Sequence, residues 1–276
     1  MGAGPAASKL TYSELSPPGD LSRWIACFWQ IRGECALDSG AMHRVLPDGC
    51  GDLLLDLAAE RLGRHAASIS GPMTRAHVFE LTGSVDFVGV RFRPGAVGFF
   101  AGVDAAQLLD ARVPFGETAN TGQYFVEALA ELNDLTARAA RLIAICRARF
   151  AIAERTDPAV ESALARLGAR RAFELPRISV LARDVGLSER ALERRFAHHV
   201  GFTPVRFRRL ARFRAALRAH AVTRQEWAQI ALDTGFSDQA HLTRDFREFA
   251  GITPIEWAHS QRAPAGFLQD GRLTAL

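Results

Sequence analysis

The stretch GFSDQAHLTRDFREFAGITP, residues 235–254, repeats an earlier one, GLSERALERRFAHHVGFTP, residues 186–204. Both begin Gly-apolar-Ser, pass through a Phe and close on Gly-apolar-Thr-Pro. Gly186 and Gly235 are 49 positions apart (235 − 186), whereas Gly201 and Gly251 are 50 apart (251 − 201). The chain builds one local object twice and stops at two, so it is a pair and not an array.

The first copy with its lead-in reads ISVLARDVGLSERALERRFAHHVGFTP, residues 178–204. Ile178, Leu181, Ala182 and Val185 share one face of a short helix. Gly186 allows the left-handed turn that ends it, and Ser188 suits the cap of the next helix. In that helix Leu192 and Phe196 point inward, which leaves Glu189, Arg190, Glu193 and Arg194 outward. The second copy follows the same plan. Trp227, Ile230 and Ala231 form an inward face, Gly235 supplies the turn and Ser237 the cap. Leu242, Phe246 and Phe249 face inward; Gln239, His241, Thr243 and Arg244 stay on or near the outside. Two short helices joined by a Gly turn, the second with a polar outer face, predict a helix-turn-helix unit in each copy. Arg can reach guanine bidentately and Gln can do so with adenine, so these outer faces suit base edges.

Between the copies, TPVRFRRLARFRAALRAH (203–220) predicts one long helix, with Thr203 at its cap and Leu210, Phe213 and Leu217 buried. Its arginines either touch phosphates or are solvated. A stiff connector would let both units enter successive major grooves, which requires about 34 Å between recognition helices.

Charge follows the same division. Residues 1–156 hold 15 Lys+Arg against 17 Asp+Glu, a balance of −2; residues 157–262 hold 18 against 12, or +6, and the rest is neutral. Lys9 is the only lysine, so the basic charge is almost wholly guanidinium. A slightly acidic part followed by an Arg-rich one points to double-stranded DNA as partner of the second.

Residues 11–118 read differently. RWIACFWQI (23–31), DLLLDL (52–57), HVFELTG (77–83) and FVGVRF (87–92) are short strand-like runs separated by turn clusters at 16–20, 47–52, 70–74 and 93–95. They predict a β-barrel or sandwich, with a brief helix through AVGFFAG. In residues 121–153 the period becomes helical: Phe125, Ala128, Leu129, Leu132, Ala139, Leu142, Ile143, Cys146 and Phe150 form a stripe, and Asn133-Asp134 breaks it in two with Asp134 as cap. That stripe packs on the barrel or on a second subunit. Asp157-Pro158 opens a further helix that Gly168 can close, so the domain boundary falls near 153–157.

Together these readings give an α+β chain. Residues 1–153 form an N-terminal β-barrel with following helices; residues 157–262 form an all-α domain with two helix-turn-helix units.

The motifs LARDVGLSERALERRF (181–196), GFTPVRF (201–207), IALDTGFSDQAHLTRDF (230–246) and GITP (251–254) closely resemble the DNA-binding domain of the AraC/XylS family of bacterial transcription regulators. The resemblance implies two helix-turn-helix units in one monomer, one per major groove. Carried over by position, it places base-reading sites at Arg190, Glu193 and Arg194, and at Gln239, Ala240, His241, Thr243 and Arg244. Glu193 departs from the usual neutral or basic residue; it either accepts from cytosine or pairs with Arg190 or Arg194 and reads nothing. HRVLPDGCGDLLLDL (43–57) and FVGVRFRPGAVGFFAGV (87–103) resemble the uncharacterised cupin-like domain of one branch of these regulators. That implies a sensor of an unidentified small-molecule effector, a homodimer built on the following helices, and contact with RNA polymerase if the protein activates. The fold does not name the effector.

Trp24, Trp29, Phe87, Arg91 and Phe92 are the candidate effector-binding residues. With Phe28 and Phe99 the aromatics could line an apolar pocket, closed by Arg91 or Arg93 if the ligand is anionic. Plain core is the competing reading of each. His43, Asp48, Cys50 and Asp52 cluster in sequence, but a turn on Pro47-Asp48-Gly49 accounts for them without a metal. A cupin-type metalloenzyme would need convergent ligands, and His43, His65 and His77 form no H-x-H pair. Cys27, Cys35, Cys50 and Cys146 lack paired metal spacing and read as reduced thiols. No P-loop, dinucleotide fingerprint, H-E-x-x-H or G-x-S-x-G occurs, so neither cofactor, metal nor catalytic site is expected. With no apolar run near a span's length of about 20 residues and no leader pattern, the expected location is cytoplasmic, without a membrane partner.

Overall fold

The computed structural model describes residues 9–35, 41–58, 66–115, 119–152, 156–168, 174–223 and 225–260, the side chains of 9, 41 and 119–124 excepted. Among the described residues eight strands come first: β1 Lys9–Leu15, β2 Ile25–Cys35, β3 Ala41–Val45, β4 Gly51–Asp56, β5 Ala67–Ser70, β6 His77–Leu81, β7 Gly83–Phe92 and β8 Arg112–Pro114. Helix α1, Val97–Ala101, and a 3-10 turn, Ala105–Leu108, precede β8. Six strands form one antiparallel sheet in the order β1-β2-β7-β4-β5-β8, and β3 pairs with β6 as a separate ribbon.

The expected barrel is therefore open. Among the described residues β1 and β8 are unjoined edges, and the ribbon, with Phe79 and Leu81, covers one face instead. The reason lies in β2, whose two faces both carry large apolar residues. A bulge between Ile25 and Cys27 shifts the register. Ile25 and Phe28 thus reach the helix-covered face, while Cys27, Trp29 and Ile31 reach the ribbon. At Gly89, opposite Trp29 in β7, a side chain would collide: a Cβ there would lie 2.5 Å from the indole.

Helices α2, Ala119–Ala130, and α3, Leu135–Ala151, follow, and Asp134 caps α3 by accepting from the Ala137 amide. Their stripe packs on the chain's own sheet: Leu129, Ala139, Leu142 and Cys146 are buried there with Phe92, Val88 and Phe28, although Ala128 is exposed. Arg138, wholly buried, fastens α3 to the sheet. Its guanidinium holds Asp86 bidentately at 2.6 and 2.8 Å and also donates to Gln30 and the Leu132 carbonyl.

The second half is helical: α4 Pro158–Leu167, α5 Ile178–Asp184, α6 Glu189–Val200, α7 Pro204–Thr223, α8 Trp227–Asp233, α9 Gln239–Ala250 and α10 Pro254–Ser260. One apolar core runs through all of them, from Val160 and Leu167 through Leu192, Phe196, Leu210 and Phe213 to Ile230, Phe246 and Trp257. The two helix-turn-helix units thus share a single core around α7. Among the described residues no helix is long and apolar enough to cross a membrane.

Candidate nucleic-acid interface

Each unit is assembled by its glycine turn. Gly186 and Gly235 take φ of +72° and +80°, a region closed to most L-residues, and so turn α5 into α6 and α8 into α9. The caps then differ. Ser188 caps α6, accepting from the Ala191 amide at 3.2 Å, as its position predicts. In the second unit the cap is Asp238 and not Ser237: its carboxylate accepts from the His241 amide at 2.6 Å, while the Ser237 hydroxyl lies 3.2 Å from both Asp238 Oδ2 and His241 Nδ1.

That correction explains the uneven repeat. The caps Ser188 and Asp238 are 50 positions apart (238 − 188), as are the closing glycines Gly201 and Gly251; both helices have 12 residues. The extra residue therefore lies in the second turn. It follows that Glu189 corresponds to Gln239, Arg190 to Ala240, Glu193 to Thr243 and Arg194 to Arg244.

The candidate reading residues are on the outer faces. Arg190, Glu193, Arg194, Gln239, Ala240 and Arg244 are exposed. Among the described residues Glu193 forms no ion pair with Arg190 or Arg194, so all three side chains are left for an outside partner. His241 and Thr243 are half-buried. The His241 ring stands edge-on to Phe236 at 5.1 Å, and the Thr243 hydroxyl donates to the Gln239 carbonyl at 2.8 Å, which leaves it only as an acceptor. The Asp238 carboxyl is held below the usual carboxylate range, first by the His241 amide; Arg244 contributes to the same field.

Three of the connector arginines are engaged by acceptors within the protein. Arg208 donates to the Pro176 carbonyl, Arg212 to the Gly235 carbonyl, and Arg209 binds Asp245 at 2.7 Å together with Glu248. Asp245 is buried on α9, opposite the reading face. The guanidinium groups of α7 thus clamp both units to the connector. Sequence reasoning missed this, because the partners are carbonyls and acids 23 to 39 positions away.

The candidate effector residues are not gathered into one place. Trp29 donates to Asp52 at 2.8 Å, and Arg91 lies between Asp52 and Asp48 at 3.5 and 3.8 Å, on the ribbon-covered face where Phe87 also packs. Burial pushes the Asp52 carboxyl up against the pull of Arg91. Phe92 is fully buried on the other face beside Phe100, and Trp24 borders a cavity between the two halves. Asp48 accepts from the Cys50 amide, which is the turn the sequence predicts. All four cysteines are buried and free, and burial pushes the Cys27 and Cys146 thiols up to about 12. His43 is buried against Phe79, its imidazole held down to about 4 by burial; His65 lies outside the described residues. Among the described residues no three His, Cys, Asp or Glu side chains converge on a metal position.

Two family profiles match the chain: residues 181–260 match a helix-turn-helix domain and residues 13–114 a domain of unknown function (DUF6597). Residues 181–260 are an AraC-type helix-turn-helix domain. The protein is accordingly a DNA-binding transcription regulator. Among solved structures, a transcriptional regulator from Chromobacterium violaceum with an AraC-type DNA-binding domain is 29% identical, with a TM-score of 0.36; the match covers 39% of this chain and 95% of that one. The C-terminal domain of AraT, a response regulator from Geobacillus stearothermophilus, is 18% identical over 38% of this chain and 88% of its own, TM-score 0.36. ToxT from Vibrio cholerae is 10% identical over 92% of this chain and 98% of its own, TM-score 0.42. No curated protein matches.

Proposed function

We propose that the two recognition helices read two adjacent DNA boxes in a single monomer and that the N-terminal half makes the reading responsive to a small-molecule effector. Arg190, Glu193 and Arg194 would read the first box, and Gln239, Ala240, His241, Thr243 and Arg244 the second. One observation carries this reading: two helices of equal length, capped 50 positions apart, turn polar faces outward from one shared core. Arg194 and Arg244 are its strongest elements, since among the described residues neither forms an ion pair and an exposed guanidinium can engage guanine O6 and N7 together. Glu193, unpaired among the described residues, supports the cytosine-accepting role over a silent one. The domain division is proposed at 153–157, a cytoplasmic location is proposed with it, and a homodimer or RNA polymerase would be its protein partners.

The test is selection of genomic fragments by the purified full-length chain at two salt concentrations. The expected result is a shared pair of unlike boxes one helical turn apart. Enrichment without a common sequence, collapsing as salt rises, would reduce the interface to backbone attraction.

A further inference from the structure

The open sheet leaves two edges, and they are not alike. β8 is short and ends on Pro114, which has no amide hydrogen, and its Arg112 turns back to the Ser68 hydroxyl at 2.7 Å. β1 has neither a proline nor a bulge. It pairs with β2 in unbroken register from Lys9 opposite Glu34 to Leu15 opposite Phe28. Among the described residues no strand meets its other side, so alternate amides and carbonyls of β1 point outward along a ready-made template.

The side chains of this edge are incompletely covered. Leu10 and Tyr12 pack on the ribbon-covered face and are only half-buried there. Leu10 stands opposite Gly33, which offers it no side chain. Thr11, on the other face, is exposed. Residues opposed across an antiparallel pair share a face, so a two-fold axis between two β1 edges must pass at a residue. Centred on Thr11, Leu10 meets Tyr12 of the partner subunit, Tyr12 meets Leu10 of the partner subunit, and the two Thr11 side chains meet each other. Aromatic–aliphatic and Thr–Thr pairs are favourable cross-strand neighbours. Centring on Tyr12 or Ser13 sets Leu10 or Tyr12 against Glu14, and centring on Leu10 overlaps only Lys9–Thr11. The sequence of β1 thus matches itself best in one register.

We infer that two copies of this chain join edge to edge along β1, antiparallel about a two-fold axis at Thr11, so that their sheets become one. The inference deepens the homodimer proposed above and gives it a surface other than the helices after the sheet, whose apolar stripe is already covered by the chain's own core. Such a dimer brings two double readers into one particle.

The test places a thiol at the axis of the full chain. The native cysteines are all buried, so Thr11→Cys adds an accessible one. Opposed residues have Cα atoms about 4.5–5.5 Å apart, inside the range of about 4.4–6.8 Å that a disulfide spans. On air oxidation with copper phenanthroline, Thr11→Cys is expected to run as a covalent dimer on a non-reducing gel. Ile152→Cys, exposed just beyond α3, is expected to stay monomeric. In sedimentation velocity the unaltered chain is expected to dimerise and Thr11→Val to keep the dimer. Thr11→Lys, which sets like charges face to face, is expected to weaken it at least about tenfold. Circular dichroism checks that the variants fold, and where Thr11→Lys does not, the cross-link decides. An unaltered chain that is monomeric at about 100 μM, undiminished dimerisation by Thr11→Lys, or cross-linking through Ile152→Cys and not through Thr11→Cys overturns the inference. Failure of the DNA-reading proposal would show elsewhere, as selected fragments without a common sequence, since the mass of the particle is measured without DNA.

Discussion

Arg194 and Arg244 stand at the same place on the two recognition helices, six residues beyond their caps Ser188 and Asp238. Neither forms an internal ion pair among the described residues, so each is expected to discriminate one base position, worth about 1–3 kcal/mol. Arg244→Ala should relax specificity at one position of the second box, and Arg194→Ala at one position of the first, in selections with randomised boxes. A uniform loss across all sequences would instead make them phosphate contacts. Arg138 shows the opposite use of a guanidinium. It is wholly buried against Asp86 and Gln30, and Arg138→Met leaves a carboxylate short of its main partner. The expected cost is about 3 kcal/mol, the low end for a broken buried pair, because Arg32 stays 3.6 Å from Asp86. Chemical denaturation checks it; an unchanged midpoint would mean that Arg32 and water replace the lost contact in full.

The caps carry the next scale. Ser188→Ala should cost about 1 kcal/mol by exposing the first amides of α6. In α9 the same test separates neighbours: Asp238→Ala should lower the melting temperature clearly more than Ser237→Ala, since Asp238 alone accepts from a helix amide. The Asp238 cap also has a pH signature. Its native pKa is below the unfolded value, so its contribution is complete above the unfolded carboxylate range, near about 3.9, and is lost as pH falls through the lower native value. The melting difference between Asp238→Asn and the unaltered chain should shrink in acid. Element boundaries were legible where such local chemistry sets them: Asp134 and Asp157 cap α3 and α4 as the sequence predicts. The cap of α9 was not, because Ser237 and Asp238 both satisfy the local rule and only the added turn residue decides between them.

At the scale of the molecule, the sheet half grips the far ends of both recognition helices. Arg44 donates to the Ala250 carbonyl at 2.5 Å and the Ala76 amide to the Phe249 carbonyl at 2.7 Å, at the end of α9. His198, near the end of α6, pairs with Asp104 at 2.8 Å. The capped beginnings, which carry Arg190 and Gln239, stay exposed. With both units also bound to α7 through Arg208, Arg209 and Arg212, the two heads are expected to keep a fixed spacing and not to follow a change of helical phase. Inserting 5 base pairs, about half a helical turn, between the boxes should therefore reduce affinity nearly to that of one box. Equal binding in gel-shift titrations of the two spacings would show that the clamps yield.

The repeat, its turns and most of its caps follow from the sequence itself, because glycine φ, side-chain capping and a four-residue apolar period act within a few positions. The outward set from Arg190 to Arg244 was legible for the same reason: helical period alone separates it from Leu192, Phe196, Leu242 and Phe246. Tertiary structure decided what periodicity cannot reach. An arginine reads the same in sequence whether it faces solvent, as Arg194 does, or an internal carbonyl, as Arg212 and Arg44 do, since its partner is fixed by packing across 23 to 206 positions. The open sheet and the burial of Phe92 have the same origin. Each depends on which face of a strand meets which distant element, and a bulge of one residue in β2 is enough to exchange those faces.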